Sequence, residues 1–169
     1  YFADDLKSYS TENNNLELYN LELNVVYYWK VVGSKESEIR GFRIDSIVPI
    51  RNLYVDGITN ARDIGGYPVA SGRTVKQGMI YRTSKFNEDE SKELLITQKG
   101  INTLVNDLGV VVELDLRDAN KNENGGITNS PLGDSVKYIS IPMKSGGNYL
   151  TLNKNVLKDV FEVLGDEKN

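Results

Sequence analysis

NARDIGGYPVASGRTVKQGMIYRT, residues Asn60 to Thr83, decides how this chain is read. It opens as a loop with paired charges and paired glycines: Asn60, Arg62, Asp63, Gly65 and Gly66. A turn at Ser71-Gly72 follows, then a short apolar run, Met79-Ile80-Tyr81, that ends in Arg82. The two adjacent glycines let the backbone turn tightly, because neither carries a Cβ. Arg62 and Asp63 admit two readings of equal weight. Asp63 caps a turn with Arg62 in a structural ion pair, or the two charges stand at the mouth of a site.

Working downstream, Asn87 to Ile96 has the start of a helix, with Asn87 as cap and Glu88, Asp89 and Glu90 in a first turn that favours anions. Thr97 to Leu108 reads as a second helix, because Ile101, Leu104, Val105 and Leu108 recur at i, i+3, i+4 and i+7. Gly109 is placed to end it. Val110 to Leu116 is a nearly continuous apolar strand, and it delivers Asp115 and Arg117 at its C-terminal end. Asn120 to Gly133 is an Asn/Gly/Ser-rich loop, and Val136 to Ile141 is a further strand stopped by Pro142. Leu152 to Leu164 carries a helical stripe of Leu152, Val156, Leu157, Val160, Phe161 and Leu164.

Asn60–Gly66 as N-x-R-D-x-G-G, Gly78–Thr83 as G-x-x-Y-R-T and Asp115–Arg117 as D-L-R occur here in one order. Together they resemble the atypical bacterial tyrosine/dual-specificity phosphatases of the protein-tyrosine-phosphatase superfamily. The resemblance implies a Cys-x5-Arg phosphate loop after these three motifs, yet the chain contains no cysteine. It therefore implies an N-terminal part of such a domain, inactive by itself, whose nucleophile lies in a missing C-terminal part of the same domain. The fold class expected is α/β: a partial phosphatase-type sheet flanked by helices, with a β-sandwich remnant in front.

The resemblance also assigns roles. Asp115 and Arg117 are expected beside the phosphate loop as supporting catalytic residues, with a buried ion pair closing the strand end as the equal alternative. Asn60, Arg62, Asp63 and Arg82 form the expected substrate-binding set, although Arg82 reads more readily as a brace of the same region. The reaction implied is hydrolysis of a phosphomonoester through a cysteinyl-phosphate, with no metal and no cofactor. The substrate would be a phosphorylated protein (phosphotyrosine or phosphoserine/threonine) or a phospholipid such as a phosphoinositide.

Composition sets limits on the alternatives. Hydrophobic residues make up 39% and charged residues 26%, values of an ordinary globular chain and not of a disordered one. A net charge of −4 argues against nonspecific nucleic-acid binding. With neither Cys nor His, disulfides, a thiol nucleophile, an imidazole base and the usual zinc site are all excluded within the chain. No apolar run reaches the roughly 20 residues needed to span a bilayer as a helix. Absence of cysteine is compatible with an extracytoplasmic or cell-surface setting in a bacterium; the cytoplasm is the alternative.

Residues 1–50 have a different character. Val25 to Val32 (VVYYWKVV) is the strongest strand of the first third, with Val25, Tyr27, Trp29 and Val31 on the face expected to be buried. Gly33-Ser34-Lys35 reads as a turn and Ile39 to Ile44 as the returning strand. The pattern resembles the last strands of a fibronectin type III or immunoglobulin-like sandwich. The expected division is thus a sandwich remnant over 1–50 and the phosphatase-like part over 51–169, with Asn52–Val55 as a short strand and Asp56-Gly57 as a turn. Two rival functions stand beside this reading. One is a non-catalytic cell-surface binding module. The other is a metal-dependent phosphate or sugar enzyme using Asp63, Asp115 and Asp118.

Overall fold

The structure, a computed structural model, describes residues 6–45, 50–86, 95–117, 128–143 and 154–166. The chain divides into two compact units, Tyr1–Ser46 and Ile47–Asn169.

In the first unit, β1 (Val26–Trp29) pairs antiparallel with β2 (Arg40–Arg43), with Tyr27 opposite Phe42 and Tyr28 opposite Gly41. Cross-strand aromatic contact fixes this register: the Tyr27 and Phe42 rings stack 5.7 Å apart. The Tyr27 hydroxyl also accepts from the Glu22 backbone N–H at 2.8 Å. Asn20 and Asn24, both with left-handed backbone, make the turns that bring Glu22 there. The face expected to be buried is sealed only at Tyr27, which is half-buried; Val25, Trp29 and Val31 are exposed. The physical reason is that a two-stranded ribbon has no second layer to pack against, and none of the described residues of this unit is buried.

The second unit has a mixed α/β architecture. Three short strands, β3 (Arg51–Asn52), β4 (Arg62–Asp63) and β5 (Tyr81–Arg82), form an antiparallel sheet in that order. The expected loop at Arg62-Asp63 is therefore a strand. Its ladder is continued by Leu53 N–H bonding to Ala61 C=O and Ile64 N–H bonding to Ile80 C=O, at 2.9 and 3.0 Å. Helix α1 (Gln98–Asn102) runs on into a π-helical turn at Thr103–Asp107. Thr97 caps it, its hydroxyl accepting from Gly100 N–H at 3.1 Å and donating to Asp56 at 2.6 Å. Gly109, with φ +70°, closes the element as anticipated.

Strands β6 (Val112–Asp115) and β7 (Lys137–Ser140) pair in parallel, Glu113 opposite Tyr138 and Asp115 opposite Ser140. Helix α2 (Lys154–Gly165) follows. Its half-buried side is Val156, Leu157, Val160 and Val163; Phe161 and Leu164, expected in the stripe, are exposed. The core consists of Leu53, Val55, Ala61, Leu104, Leu132 and Val136, with Ile101, Val105, Leu108 and Val110 packed against it. Burial of a Leu such as Leu104 contributes roughly 1.5–3 kcal/mol, so the α1 stripe anchors the layer above these strands. Of the helix expected over Asn87–Ile96, residues 87–94 lie outside the described residues, as do the loops at 120–127 and 144–148, while Leu95 and Ile96 are not helical and lead into the Thr97 cap of α1.

Candidate phosphate-chemistry site

Period-two alternation decides what each strand presents to each side. Along β6, Glu113 and Asp115 share one face; on β7 the residue in the same row is Tyr138. Asp115 is the last residue of β6 and thus sits at the C-terminal end of a parallel strand, where open α/β sheets place their ligands. Arg117, two residues on, folds back over it. Its Nη2 donates to Asp115 Oδ2 at 2.6 Å and its Nε to Oδ1 at 2.9 Å, a bidentate fork. The Arg117 backbone N–H donates to Oδ1 at 3.0 Å, and the Tyr138 hydroxyl donates to Oδ2 at 2.7 Å.

Electrostatics follow from this crowding. Burial pushes the Asp115 carboxyl up, but the Arg117 guanidinium and backbone N–H, with the Tyr138 hydroxyl, outweigh it and hold the group below its ordinary 3.8. Asp115 is therefore a fixed anion. Glu113 goes the other way. Burial raises its carboxyl above the ordinary 4.5 and the Asp115 charge adds to this, whereas Ser130 and Arg117 pull down by less. Ser130 donates to Glu113 Oε2 at 2.6 Å. Burial, then the bond to Asp115, raises Tyr138 as well and keeps it a protonated donor. One end of the β6–β7 pair thus holds an anion locked to an arginine, a carboxyl biased towards its neutral form and a phenol.

The other expected site residues lie on the β3–β4–β5 sheet and separate onto its two faces. Arg51 is opposite Asp63, and Asp63 opposite Tyr81; in the alternate row Asn52 is opposite Arg62, and Arg62 opposite Arg82. Asp63 is fully buried. Its Oδ2 accepts from Arg51 Nη2 at 2.6 Å and from Gly78 N–H at 2.7 Å, and its Oδ1 from Gly65 N–H at 2.7 Å. Gly65 is required by proximity: a Cβ there would collide with the backbone of Gln77. Asn60 has left-handed backbone, φ +57°, and its side-chain oxygen accepts from Arg62 Nη2. Arg62 is half-buried and Arg82 exposed.

The structure brings Asp115 and Arg117 together, and Asn60 with Arg62, while Asp63 points into the interior with Arg51. Asp118 of the metal-dependent alternative lies outside the described residues, and among those described no group of three metal-type ligands occurs. Sequence reading missed Arg51, Glu113, Ser130 and Tyr138. An acid inside the apolar run VVVELDLR was the available signal for Glu113, and the odd-even pattern of VKYISI for Tyr138.

Compared with known families, residues 53–166 match the model described as the tyrosine phosphatase family. No curated protein matches the chain.

Proposed function

The chain belongs to the tyrosine phosphatase family, and we propose that its domain hydrolyses phosphomonoesters through a cysteinyl-phosphate. The family gives the hydrolase class and phosphorylated compounds as substrates. The observation that carries the finer reading is the Asp115–Arg117 fork at the C-terminal end of β6. Cysteine-based phosphoryl transfer needs a thiolate, a cradle of backbone N–H groups, an arginine fork and an acid for the leaving group. The chain has no cysteine, so the thiolate comes from sequence outside these residues, and the 169 residues by themselves do not turn over. In this scheme Asp115 stays ionised and holds Arg117 in place beside the phosphate cradle. Glu113 and Tyr138, paired across β6 and β7 on the same face as Asp115, stand beside it. Phosphorylated protein is the substrate class we favour, with phosphoinositide as the second.

The test is hydrolysis of p-nitrophenyl phosphate by the whole protein and by this chain alone. Turnover by the whole protein that vanishes when its loop cysteine becomes serine is the expected result. Turnover by the 169-residue chain alone would sink the cysteinyl route. Specific binding of a phosphorylated ligand with no turnover by either would favour the binding module instead. For the first unit we propose a place at the closing edge of a β-sandwich, supported by the β1–β2 hairpin and its Tyr27–Phe42 stack.

A further inference from the structure

One face of β6 carries two acids, and each has its own hydroxyl. Glu113 and Asp115 alternate with Leu114 along the strand and therefore share a face. Ser130 donates to Glu113 Oε2 at 2.6 Å, and Tyr138 donates to Asp115 Oδ2 at 2.7 Å. The backbone register pairs these residues differently: Tyr138 lies opposite Glu113, and Asp115 lies opposite Ser140. The phenol thus leans one row towards the C-terminal end of β6, a diagonal that an aromatic side chain can span. Two things send it there. Glu113 already has Ser130 as a donor, and an ionised carboxylate is the stronger acceptor.

That bond is also the one that reaches Asp115 from another strand. Arg117 meets Asp115 from two residues away, through Nε, Nη2 and its backbone N–H. Tyr138 meets it from β7, 23 residues away. Backbone bonds join β6 and β7 whatever these side chains do: Lys137 N–H donates to Val111 C=O and Ile141 N–H to Asp115 C=O, both at 2.9 Å. The backbone leaves the carboxylate plane unset, because the terminal torsion of an aspartate is broad. The Arg117 N–H holds Oδ1 and Tyr138 holds Oδ2. With both oxygens held, the plane on which the guanidinium clips is fixed.

We infer that Tyr138 is a positioning residue: its hydroxyl fixes the Asp115 carboxylate from β7 and thereby sets the orientation in which Arg117 is offered to a ligand. Its effect on rate rests on the cysteinyl reading above; its effect on the fork does not. Asp115 is buried and Arg117 half-buried, so the arginine is the member of the ion pair within reach of a ligand. Tyr138 is not the acid that protonates a leaving group. Its proton is committed to Asp115, and burial together with that bond keeps the phenol protonated.

Tyr138→Phe removes the hydroxyl and keeps the ring. The Asp115 carboxyl resonance is titrated with acid in the 13C-labelled chain, with and without this substitution. Loss of a donor to the charged form raises a carboxyl pKa. The Asp115 midpoint is therefore expected to move up in Tyr138→Phe with the backbone amide spectrum preserved, whereas a packing role would leave it in place. The other charged or titrating groups around Asp115 are Glu113 and Arg117, so both titrations are repeated in Glu113→Gln to remove the overlapping carboxyl. In the whole protein, with p-nitrophenyl phosphate, Tyr138→Phe should lower kcat about tenfold with KM little changed. Asp115→Ala removes the group through which Tyr138 acts, so adding Tyr138→Phe to it should cost nothing more. An unmoved Asp115 midpoint, or losses in kcat that multiply in the double variant, would each overturn the positioning role. A whole wild-type protein without turnover would overturn the cysteinyl reading instead, and the midpoint in the chain would still decide the role of Tyr138.

Discussion

Two aspartate–arginine pairs in the second unit share the same closest distance, 2.6 Å, and differ in almost everything else. Arg51–Asp63 spans two strands and is sealed, with side-chain exposures of 4% and 0%. Arg117–Asp115 lies within one strand end, and its arginine retains 16% exposure. In the first pair the remaining carboxylate lone pairs go to backbone amides of Gly65 and Gly78. In the second they go to the arginine's own backbone and to a phenol. An ion pair closed off by the backbone fixes the chain path. An ion pair whose cation still reaches solvent can exchange part of its bonding for a ligand. Charge chemistry alone does not separate a brace from a site; what satisfies the last lone pairs, and what remains open, does.

The largest expected effect tests the brace. Asp63→Ala leaves the buried Arg51 charge without its carboxylate and frees two amides, a loss of about 3–5 kcal/mol. Urea unfolding of the chain should show it as a large drop in midpoint. A loss no greater than that of a surface substitution would remove the distinction between the pairs. Asp115→Asn should cost less, about 1–3 kcal/mol, because Arg117 can turn towards water. In the whole protein the same change should lower phosphatase turnover well beyond what this loss of stability explains, measured below the unfolding transition.

Acid sharpens the contrast further. Asp115 has a folded pKa below its ordinary 3.8, so its contribution to stability is complete above that value and is lost as pH falls through the lowered one. The acid limb of a melting-temperature profile should flatten in Asp115→Asn. The smallest effect belongs to Glu113, raised above its ordinary 4.5. Its folded form resists ionisation, so it costs stability as pH rises from 4.5 through the raised value. Glu113→Gln should therefore stabilise the chain at neutral pH by less than about 1 kcal/mol and leave stability unchanged at strongly acid pH. Destabilisation at pH 7 would show that the Ser130 bond, rather than burial, dominates there.

Much of the second unit was legible because its signals are periodic. The stripe Ile101, Leu104, Val105, Leu108 gave a helix, and Gly109 its end; the structure agrees within the usual blurring of ends, apart from the π-helical last turn. The apolar runs around Leu114 and Ile139 gave β6 and β7. Gly, Asn and charge dominate the neighbourhood of Arg62-Asp63, so its local sequence is that of a loop. Its strand character comes from partners at Arg51 and Tyr81, and pairing over such separations leaves no local trace. The same applies to the site. Asp115 and Arg117 were visible as a motif, whereas Tyr138 joins them only through a parallel register that sequence does not display. The burial of Asp63 was hidden for a simpler reason: an aspartate beside two glycines looks like a surface turn. In the first unit, alternation located the hairpin but misjudged which side chains it covers, because burial depends on a second layer.

The carboxylate of Asp63 has a kinetic meaning as well. It ties together Arg51, Gly65 and Gly78, partners only 12, 2 and 15 residues away, whereas Tyr138 meets Asp115 across 23. Short loops close at lower entropic cost, and local contacts favour early formation during folding. The clamp around Asp63 is thus suited to the folding nucleus, with the β6–β7 end assembling afterwards. Asp63→Ala is therefore expected to slow refolding, whereas Tyr138→Phe, which removes the long-range bond to Asp115, is expected mainly to speed unfolding, as stopped-flow measurements would show. Arg117 and Asp115 are only two residues apart, so the late event at that end is the arrival of Tyr138 from β7 and not the ion pair itself.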